Sequence, residues 1–173
     1  MNHHASAADV STDPDDVRTV HEILSDTDIA MVTTIDSTSS AGRLVSRPLT
    51  TQVAEEDGDV LFLVRDDSAV VRDVEANPQV NAAYSSRKAW VSLSGTASVV
   101  RDRRVVEELW TKASGAFLDG GPEDPHNVVL KIDGDTAEYW GGTSLVGTLV
   151  KTARTIVGDN DDSGAGPTVV DLP

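Results

Sequence analysis

Residues 80–100 read VNAAYSSRKAWVSLSGTASVV, and this stretch decides the fold class. Residues 80–84 and 90–100 are rich in valine, aromatic and small side chains, which is typical of strands, and the polar residues 85–88 form the turn between them. Gly95 interrupts the second run and predicts a β-bulge or a barrel bend at that point. The stretch therefore predicts two consecutive strands.

Strand patterns continue on both sides of this pair, while helical patterns are few and far apart. Further strands are predicted at 29–35, 44–53, 60–64, 128–132 and 136–140, the last two as a hairpin about Asp133-Gly134. Helices are predicted from a start at Asp13-Pro14 to Leu24, and at 68–76, 102–113 and 145–157. Strands and helices do not alternate as they do in a parallel sheet. The chain is therefore predicted to be mainly β, an antiparallel barrel or sandwich with helices packed outside.

Pro48 stands inside the predicted strand 44–53. Proline has no N–H to donate to a neighbouring strand, so within sheets it is confined to edges and bulges. The segment around Pro48 is therefore predicted to be an edge, a bulge or a site that faces a ligand.

Length and composition indicate one globular domain. The chain has 173 residues, of which 39% are hydrophobic and 25% charged, and no window is long and apolar enough for a transmembrane helix. It has no cysteine, which excludes disulfides and thiolate chemistry, and its four histidines lack the spacing of a metal site. The polar, acidic N-terminus is no signal peptide, so we expect a cytoplasmic protein without a membrane partner.

Much of the formal charge of −15 lies at the two ends of the chain. Residues 1–16 and 158–173 hold eight acids and no lysine or arginine, so we expect disordered acidic tails around a single domain at 17–157. Nucleic acid is not expected as a partner, because binding it requires basic surface. An anionic cofactor would need positive charge placed locally.

Several short motifs occur in the order and at the spacings of one protein family. They are Gly42-Arg43-Leu44, Ser46-Arg47-Pro48-Leu49, Asp67-Ser68, Asn77-Pro78-Gln79-Val80, Val91-Ser92-Leu93-Ser94-Gly95, Glu108-Leu109-Trp110, Gly121-Pro122-Glu123-Asp124-Pro125 and Tyr139-Trp140. With these motifs the chain resembles the pyridoxamine 5'-phosphate oxidase-like FMN-binding split-barrel family, in its general stress protein branch, over about residues 17–157.

The resemblance implies a six-stranded antiparallel split barrel that forms a homodimer, with FMN bound where the two subunits meet. Family members hold the FMN phosphate with an arginine on the second strand, a threonine at the end of the third, and a Ser-any-Lys motif at the next helix start. The cofactor-binding positions that it implies here are Arg47, Pro48, Leu49, Leu63, Val64, Arg65, Ser68 and Trp140. It identifies no catalytic residue.

The chain departs from the family pattern at the expected phosphate site. Arg47 and Ser68 match the arginine and the serine, but Val64 stands where threonine is usual and Val70 where lysine is usual. Loss of the lysine alone weakens phosphate binding about 10- to 100-fold, because a charge-assisted hydrogen bond contributes about 1.5–3 kcal/mol.

Arg65 is the expected substitute for the missing lysine, since a guanidinium can bind phosphate bidentately. Arg72, one helical turn beyond the serine motif, is a second candidate. Ala116 and Leu118 stand where bulkier aromatic and proline residues are common, so the pocket for the flavin ring is predicted to be wider or lost.

Each key residue also has a simpler structural explanation. Arg47 could pair with a nearby acid, Ser68 could serve only as a helix N-cap, and Trp140 could fill the core. The two roles of Ser68 are compatible, because a helix N-terminus is itself an anion site.

Three functions fit the resemblance. The first is an FMN-dependent oxidoreductase acting on a small-molecule substrate, in which the flavin carries the redox chemistry and the protein orients it. The second is a non-catalytic flavin- or tetrapyrrole-binding stress protein, which the altered phosphate motif favours. The third is a deazaflavin-dependent reductase, whose longer anionic tail could use Arg65 and Arg72. Oxidation of pyridoxamine phosphate itself is not expected, because no basic cluster lies near the C-terminus.

Overall fold

The computed structural model describes residues 10–55, 57–87, 89–111, 114–141 and 168–173. Strands make up most of this part of the chain, with a few helices between them. The strands are β1 (Val10–Ser11), β2 (Ile29–Ile35), β3 (Leu44–Ala54), β4 (Val60–Arg65), β5 (Gln79–Ser85), β6 (Ala89–Val100), β7 (Asn127–Gly141) and β8 (Thr168–Asp171), and the helices are α1 (Pro14–Ser25), α2 (Ala69–Ala76) and α3 (Arg103–Leu109).

Strands β2 to β7 form a closed antiparallel barrel. They lie in the order β7–β4–β3–β2–β5–β6, and β6 pairs with β7 along its whole length to close the ring. Alternate side chains point inward, as the two-residue period of a strand requires, and fully buried Val32, Phe62, Leu93 and Leu130 belong to the core. The helices pack outside against these strands. The predicted six-stranded antiparallel barrel is confirmed.

Two short strands extend the sheet with residues from both ends of the chain. β1 pairs in parallel with β8, and β8 pairs antiparallel with β7, where Val170 is fully buried. Their acidic, polar composition predicts disordered tails at residues 10–16 and 168–173. The apolar runs in these segments are too short to show the periodicity that predicts a strand. Residues 1–9 and 158–167 lie outside the described part of the chain.

The helix ends follow their capping residues. The carboxylate of Asp13 accepts a hydrogen bond from the Asp15 N–H at 2.9 Å and Pro14 begins α1, so the predicted start is confirmed. Ser68 caps α2, which ends before Asn77, as predicted.

The predicted hairpin about Asp133-Gly134 is wrong. These residues lie inside β7, which pairs with β6 on both sides of them. An Asp-Gly pair favours a turn locally, but pairing with the long strand β6 outweighs that preference. The irregularity predicted at Gly95 is confirmed, with Asp135 as the extra residue in the opposite strand. Glycine is required there, because a Cβ on Gly95 would lie 2.2 Å from the carbonyl oxygen of Asp133.

Helix α3 is shorter than predicted. Asp102 caps it as expected, but the helix ends at Leu109. The Thr111 hydroxyl accepts a hydrogen bond from the Ser114 N–H at 3.3 Å, and the Ser114 hydroxyl accepts one from the Thr111 N–H at 3.1 Å. This reciprocal pair favours a turn over continuation of the helix. The helix predicted at 145–157 lies outside the described residues. Among the helices that the structure does describe, none is long and apolar enough to cross a membrane.

Candidate cofactor-binding site

A cavity opens where two neighbouring strands of the barrel separate. Residues 44–50 of β3 pair with β2, and β3 pairs with β4 only from Thr51 onward, beside a register shift. Residues 63–65 of β4 have partners in β7 but none in β3. The two strand edges therefore diverge, and residues of both line a cavity of about 600 Å³.

Pro48 lies on the open edge of β3. It pairs with Met31 of β2, and among the described residues no strand bonds to its other side, so its missing N–H removes no bond to β4. It is exposed and lines the cavity. The prediction of a local edge is confirmed, and contact with a ligand stays a prediction.

The cavity has mostly apolar walls with a few polar groups. Its volume is within the range of small-molecule sites, about 300–1,000 Å³. The apolar residues are Ile29, Pro48, Leu49, Leu63, Val64, Ala69, Val70, Phe117 and Leu118, and the polar ones are Arg47, Thr50, Gln52, Arg65, Ser68 and Ser114. Seven of the eight cofactor-binding residues implied by the resemblance, all except Trp140, therefore line this one cavity.

Arg47 is held by a buried carboxylate of its own chain. One terminal nitrogen donates to Asp73 Oδ2 at 2.9 Å and the other donates to Thr34 Oγ1 at 2.8 Å. The Thr34 hydroxyl donates to the same oxygen of Asp73 at 2.9 Å. This closed triangle joins β2, β3 and α2 and fixes the direction of a guanidinium whose side chain is 25% exposed.

The carboxylate of Asp73 is buried and ionised. Its side chain is only 3% exposed, and burial on its own raises the pKa of the group. Hydrogen bonds from the Ser37 backbone N–H at 2.9 Å, from Thr34 and from Arg47 outweigh burial, so the pKa of Asp73 lies below its ordinary value.

Ser68 begins α2 beside the cavity. Its Oγ accepts a hydrogen bond from the Val71 N–H at 3.4 Å, which makes it the N-cap. The hydroxyl still has a hydrogen to donate, and the N–H groups of Ala69 and Val70 have no acceptor within the helix. These three residues line the cavity, so the capping role of Ser68 leaves it able to contact an anion.

Arg65, the expected substitute for lysine, lies between two carboxylates. Its guanidinium is 3.4 Å from Asp67 and 3.2 Å from Asp124, and the hydrogen bond with Asp67 is the main cause of its raised pKa. Arg72 donates to the backbone carbonyl of Asp67 at 2.7 Å and is not among the cavity residues. Both arginines that line the cavity, Arg47 and Arg65, are therefore already paired with acids.

Val64 and Val70 lie at the two positions where the resemblance implies a polar phosphate contact. Both line the cavity, and they are only 4% and 3% exposed. Neither side chain can donate a hydrogen bond, so this part of the wall offers an anion only the backbone amide of Val70.

Trp140 does not line the cavity of its own chain. It lies on β7 directly opposite Trp90 of β6, and residues in that relation have side chains on the same face of a sheet. Trp90 is 51% exposed and Trp140 is partly exposed, so the pair lies on the outside of the barrel rather than in its core.

The outside of the barrel carries an extended surface without charge, which we call the outer face. It consists of the outward side chains of β2, β5 and the first part of β3, together with the start of β6. They are Ile29, Met31, Thr33, Ile35, Leu44, Ser46, Pro48, Thr50, Gln79, Asn81, Ala83, Ser85, Trp90, Ser92 and Ser94. An uncharged surface with exposed Ile29, Met31, Leu44 and Trp90 is unusual on a protein of net charge −15. Ile29, Pro48 and Thr50 also line the cavity, so the cavity opens onto the outer face.

Sequence reasoning missed Asp73, although a signal was present. Asp73 lies on the apolar stripe of α2 with buried Val70, Val71 and Val74, and an acid in such a stripe indicates a buried hydrogen-bonding or cationic partner. It also missed Ile29, Thr50 and Gln52, which reach the cavity only because two strands separate, and local sequence carries no signal for that.

Two sequence comparisons find proteins similar to this chain. A family model described as "Pyridoxamine 5'-phosphate oxidase like" matches residues 15–162. Protein bli-3 of Neurospora crassa is 32% identical over 140 residues. That alignment covers 74% of this chain and 66% of the relative, slightly less than two thirds of its length.

Solved structures show the same fold. General Stress Protein 26 from Bacillus anthracis has a TM-score of 0.63 at 21% identity, over 71% of this chain and 92% of that one. The general stress FMN/FAD binding protein from Xanthomonas citri has a TM-score of 0.59 at 27% identity, over 74% of this chain and 89% of that one.

Proposed function

The chain belongs to the pyridoxamine 5'-phosphate oxidase-like family, and we propose that its cavity between β3 and β4 binds the cofactor FMN. The family assignment made from the motifs is thereby confirmed. The observation that carries the proposal is convergence: Arg47, Leu63 and Ser68, on three different elements, line one cavity of cofactor size. A similar protein whose solved structure is called FMN/FAD binding supports it.

The residues present fit the two ends of FMN unequally. The apolar walls around Leu49, Leu63 and Phe117 suit a flat, largely apolar ring system. For the phosphate, Arg47 has five N–H donors, of which Thr34 and Asp73 engage two. The hydroxyl of Ser68 and the first amides of α2 complete a modest anion site.

We propose that the protein is an oxidoreductase acting on a small-molecule substrate. A bound flavin supplies hydride and electron transfer. The contribution of this chain is to bind the flavin, to orient it between the walls of the cavity and to exclude water from one side of it.

We propose that a second copy of the chain covers the outer face to form a homodimer. Exposed Met31 and Leu44 would then be buried, and a surface without charge is typical of the centre of a protein interface. Because the cavity opens onto this face, each subunit would close the cavity of the other, and Trp140 would contribute to the site of the partner.

Flavin binding is tested by the visible spectrum of the purified protein and by titration with FMN. Leu63→Trp places a large side chain in the cavity, and we expect it to weaken FMN binding at least about 10-fold. Val10→Trp, at an exposed position outside the cavity, should bind FMN like the unaltered protein. Equal FMN affinity of both variants would contradict binding in this cavity.

Redox activity and assembly are tested separately. Bleaching of the flavin spectrum by NADPH would support an oxidoreductase, whereas a bound flavin that nicotinamides do not reduce would favour storage or sensing.

Light scattering should give the mass of a dimer, and Met31→Glu should shift the mass towards that of the monomer because it would bury a charge in the interface. Val10→Glu is the matched control, since Val10 is also an exposed apolar residue, at 52% against 42% for Met31, but lies on β1.

A further inference from the structure

We infer that the cavity recognises a flavin by its ring and gains little from the phosphate, so that it binds riboflavin with an affinity close to that for FMN. The inference rests on the proposed function and narrows its ligand specificity. It follows from the charges and the donors that surround the cavity.

The positive charges at the cavity are balanced before any ligand binds. Arg47 is paired with Asp73 at 2.9 Å, and Arg65 lies 3.4 Å from Asp67 and 3.2 Å from Asp124. Two cations therefore face three carboxylates, and the net charge of these five groups is −1. A phosphate monoester brings a further −1.5 to −2 at neutral pH, and repulsion by the three carboxylates offsets its attraction to the two guanidiniums.

Among the described residues, the cavity wall also holds no charged donor besides the two paired arginines. Val64 and Val70 line the cavity, and their side chains cannot donate a hydrogen bond. The neutral donors are the side chains of Thr50, Gln52, Ser68 and Ser114 and the first amides of α2, and Arg47 and Arg65 each keep some N–H groups unengaged. A lysine at position 70 would add a charge-assisted hydrogen bond, which strengthens binding about 10- to 100-fold.

The apolar walls, in contrast, are extensive. Leu49, Leu63, Phe117 and Leu118 border the cavity, and Phe117 is 80% exposed in the single chain, so a bound ring can cover it. Burial of this apolar surface stabilises the bound ring in both flavins equally, because riboflavin and FMN share the ring. We therefore expect the two dissociation constants to differ by less than about 10-fold, which is less than the contribution of one strong charged contact.

The test is a titration of the full-length apoprotein with riboflavin and, separately, with FMN. Quenching of flavin fluorescence reports binding in each titration. The expected result is a ratio of dissociation constants, riboflavin over FMN, below about 10. Val70→Lys should raise this ratio about 10- to 100-fold by tightening FMN alone. Val70→Met is the matched control, because it has a similar unbranched chain without the charge, and it should leave the ratio unchanged.

A second variant keeps the test informative if Val70→Lys does not fold. Asp67→Asn removes an exposed carboxylate beside Arg65, and it should raise the ratio about 1.5- to 5-fold. A ratio well above 10 in the unaltered protein would overturn the inference and leave flavin binding intact. Failure of both flavins to bind would overturn the proposed function and the inference with it.

Discussion

The pairing of Arg47 with Asp73 makes a quantitative prediction about stability. Arg47→Met keeps most of the side-chain volume and removes the guanidinium, so the carboxylate of Asp73 loses its cationic partner. That carboxylate is 3% exposed and cannot turn to water. Removal of one partner from a buried ion pair costs about 3–5 kcal/mol, because an uncompensated charge stays behind.

The structure places the expected cost near the lower end of that range. Asp73 keeps the hydrogen bonds from Thr34 and from the Ser37 N–H, each at 2.9 Å. We therefore expect Arg47→Met to lower the free energy of unfolding by about 3 kcal/mol at pH 7. For a chain of this length that corresponds to a fall in melting temperature of about 6–12 °C.

The assay is urea denaturation at several pH values. In the unaltered protein the pKa of Asp73 is lowered, so its contribution to stability is full above its unfolded pKa of about 3.9 and is lost as the pH falls through the folded value. In Arg47→Met a cationic hydrogen bond is gone and burial raises that folded pKa. The stability difference between the two proteins should therefore shrink below about pH 4.

The matched control is Arg43→Met. Arg43 pairs with Asp36, but the side chain of Arg43 is 69% exposed, so we expect a cost of at most about 1 kcal/mol. The reasoning is refuted if Arg47→Met costs no more than Arg43→Met, or if its cost does not change with pH.

Three further predictions concern the barrel and its helix. Gly95→Ala should lower the free energy of unfolding, measured by urea denaturation, by about 1–3 kcal/mol, because its Cβ would lie 2.2 Å from a carbonyl oxygen of β7. Gly115→Ala is the control: its Cβ would have its nearest atom at 4.0 Å, so stability should change by less than about 0.5 kcal/mol. Similar costs for the two variants would count against a tight contact at Gly95. Burial raises the pKa of Tyr84 to about 12, above its unfolded value of about 10. Between pH 10 and 12 the unaltered protein should therefore lose up to about 2 kcal/mol of its free energy of unfolding relative to Tyr84→Phe. Parallel stability profiles of the two proteins over this pH range would show the prediction to be wrong. Ser68→Ala should lower the free energy of unfolding by about 1 kcal/mol, because the helix loses its N-cap. An unchanged melting curve would argue against a capping role for Ser68.

Sequence reasoning located the barrel because strand signals are local. Alternating valines and aromatic residues, the cap at Asp13 and the stop at Asn77 act within a few residues of themselves, and each is present in the structure. The hairpin expected at Asp133-Gly134 failed because pairing with β6, more than thirty residues away along the chain, outweighs the local turn preference.

The order of the motifs predicts which residues line the candidate site, but not which residues pair with them. The positions of Arg47, Leu63 and Ser68 at one cavity follow from the barrel topology, which the motifs indicate. The pairing of Arg47 with Asp73, and of Arg65 with Asp67 and Asp124, depends on distances between separate elements. Local sequence does not encode such distances, so the neutralisation of the cavity's charges became visible only in the structure.

The central claim is that a flavin binds in the gap between β3 and β4. The most direct measurement is a crystal structure of the full chain with bound FMN. We predict the ring between Leu49 and Leu63 and the phosphate beside Ser68. The account is contradicted if the flavin lies instead in another cavity, of about 730 Å³, which His21 of α1 and Leu172 line.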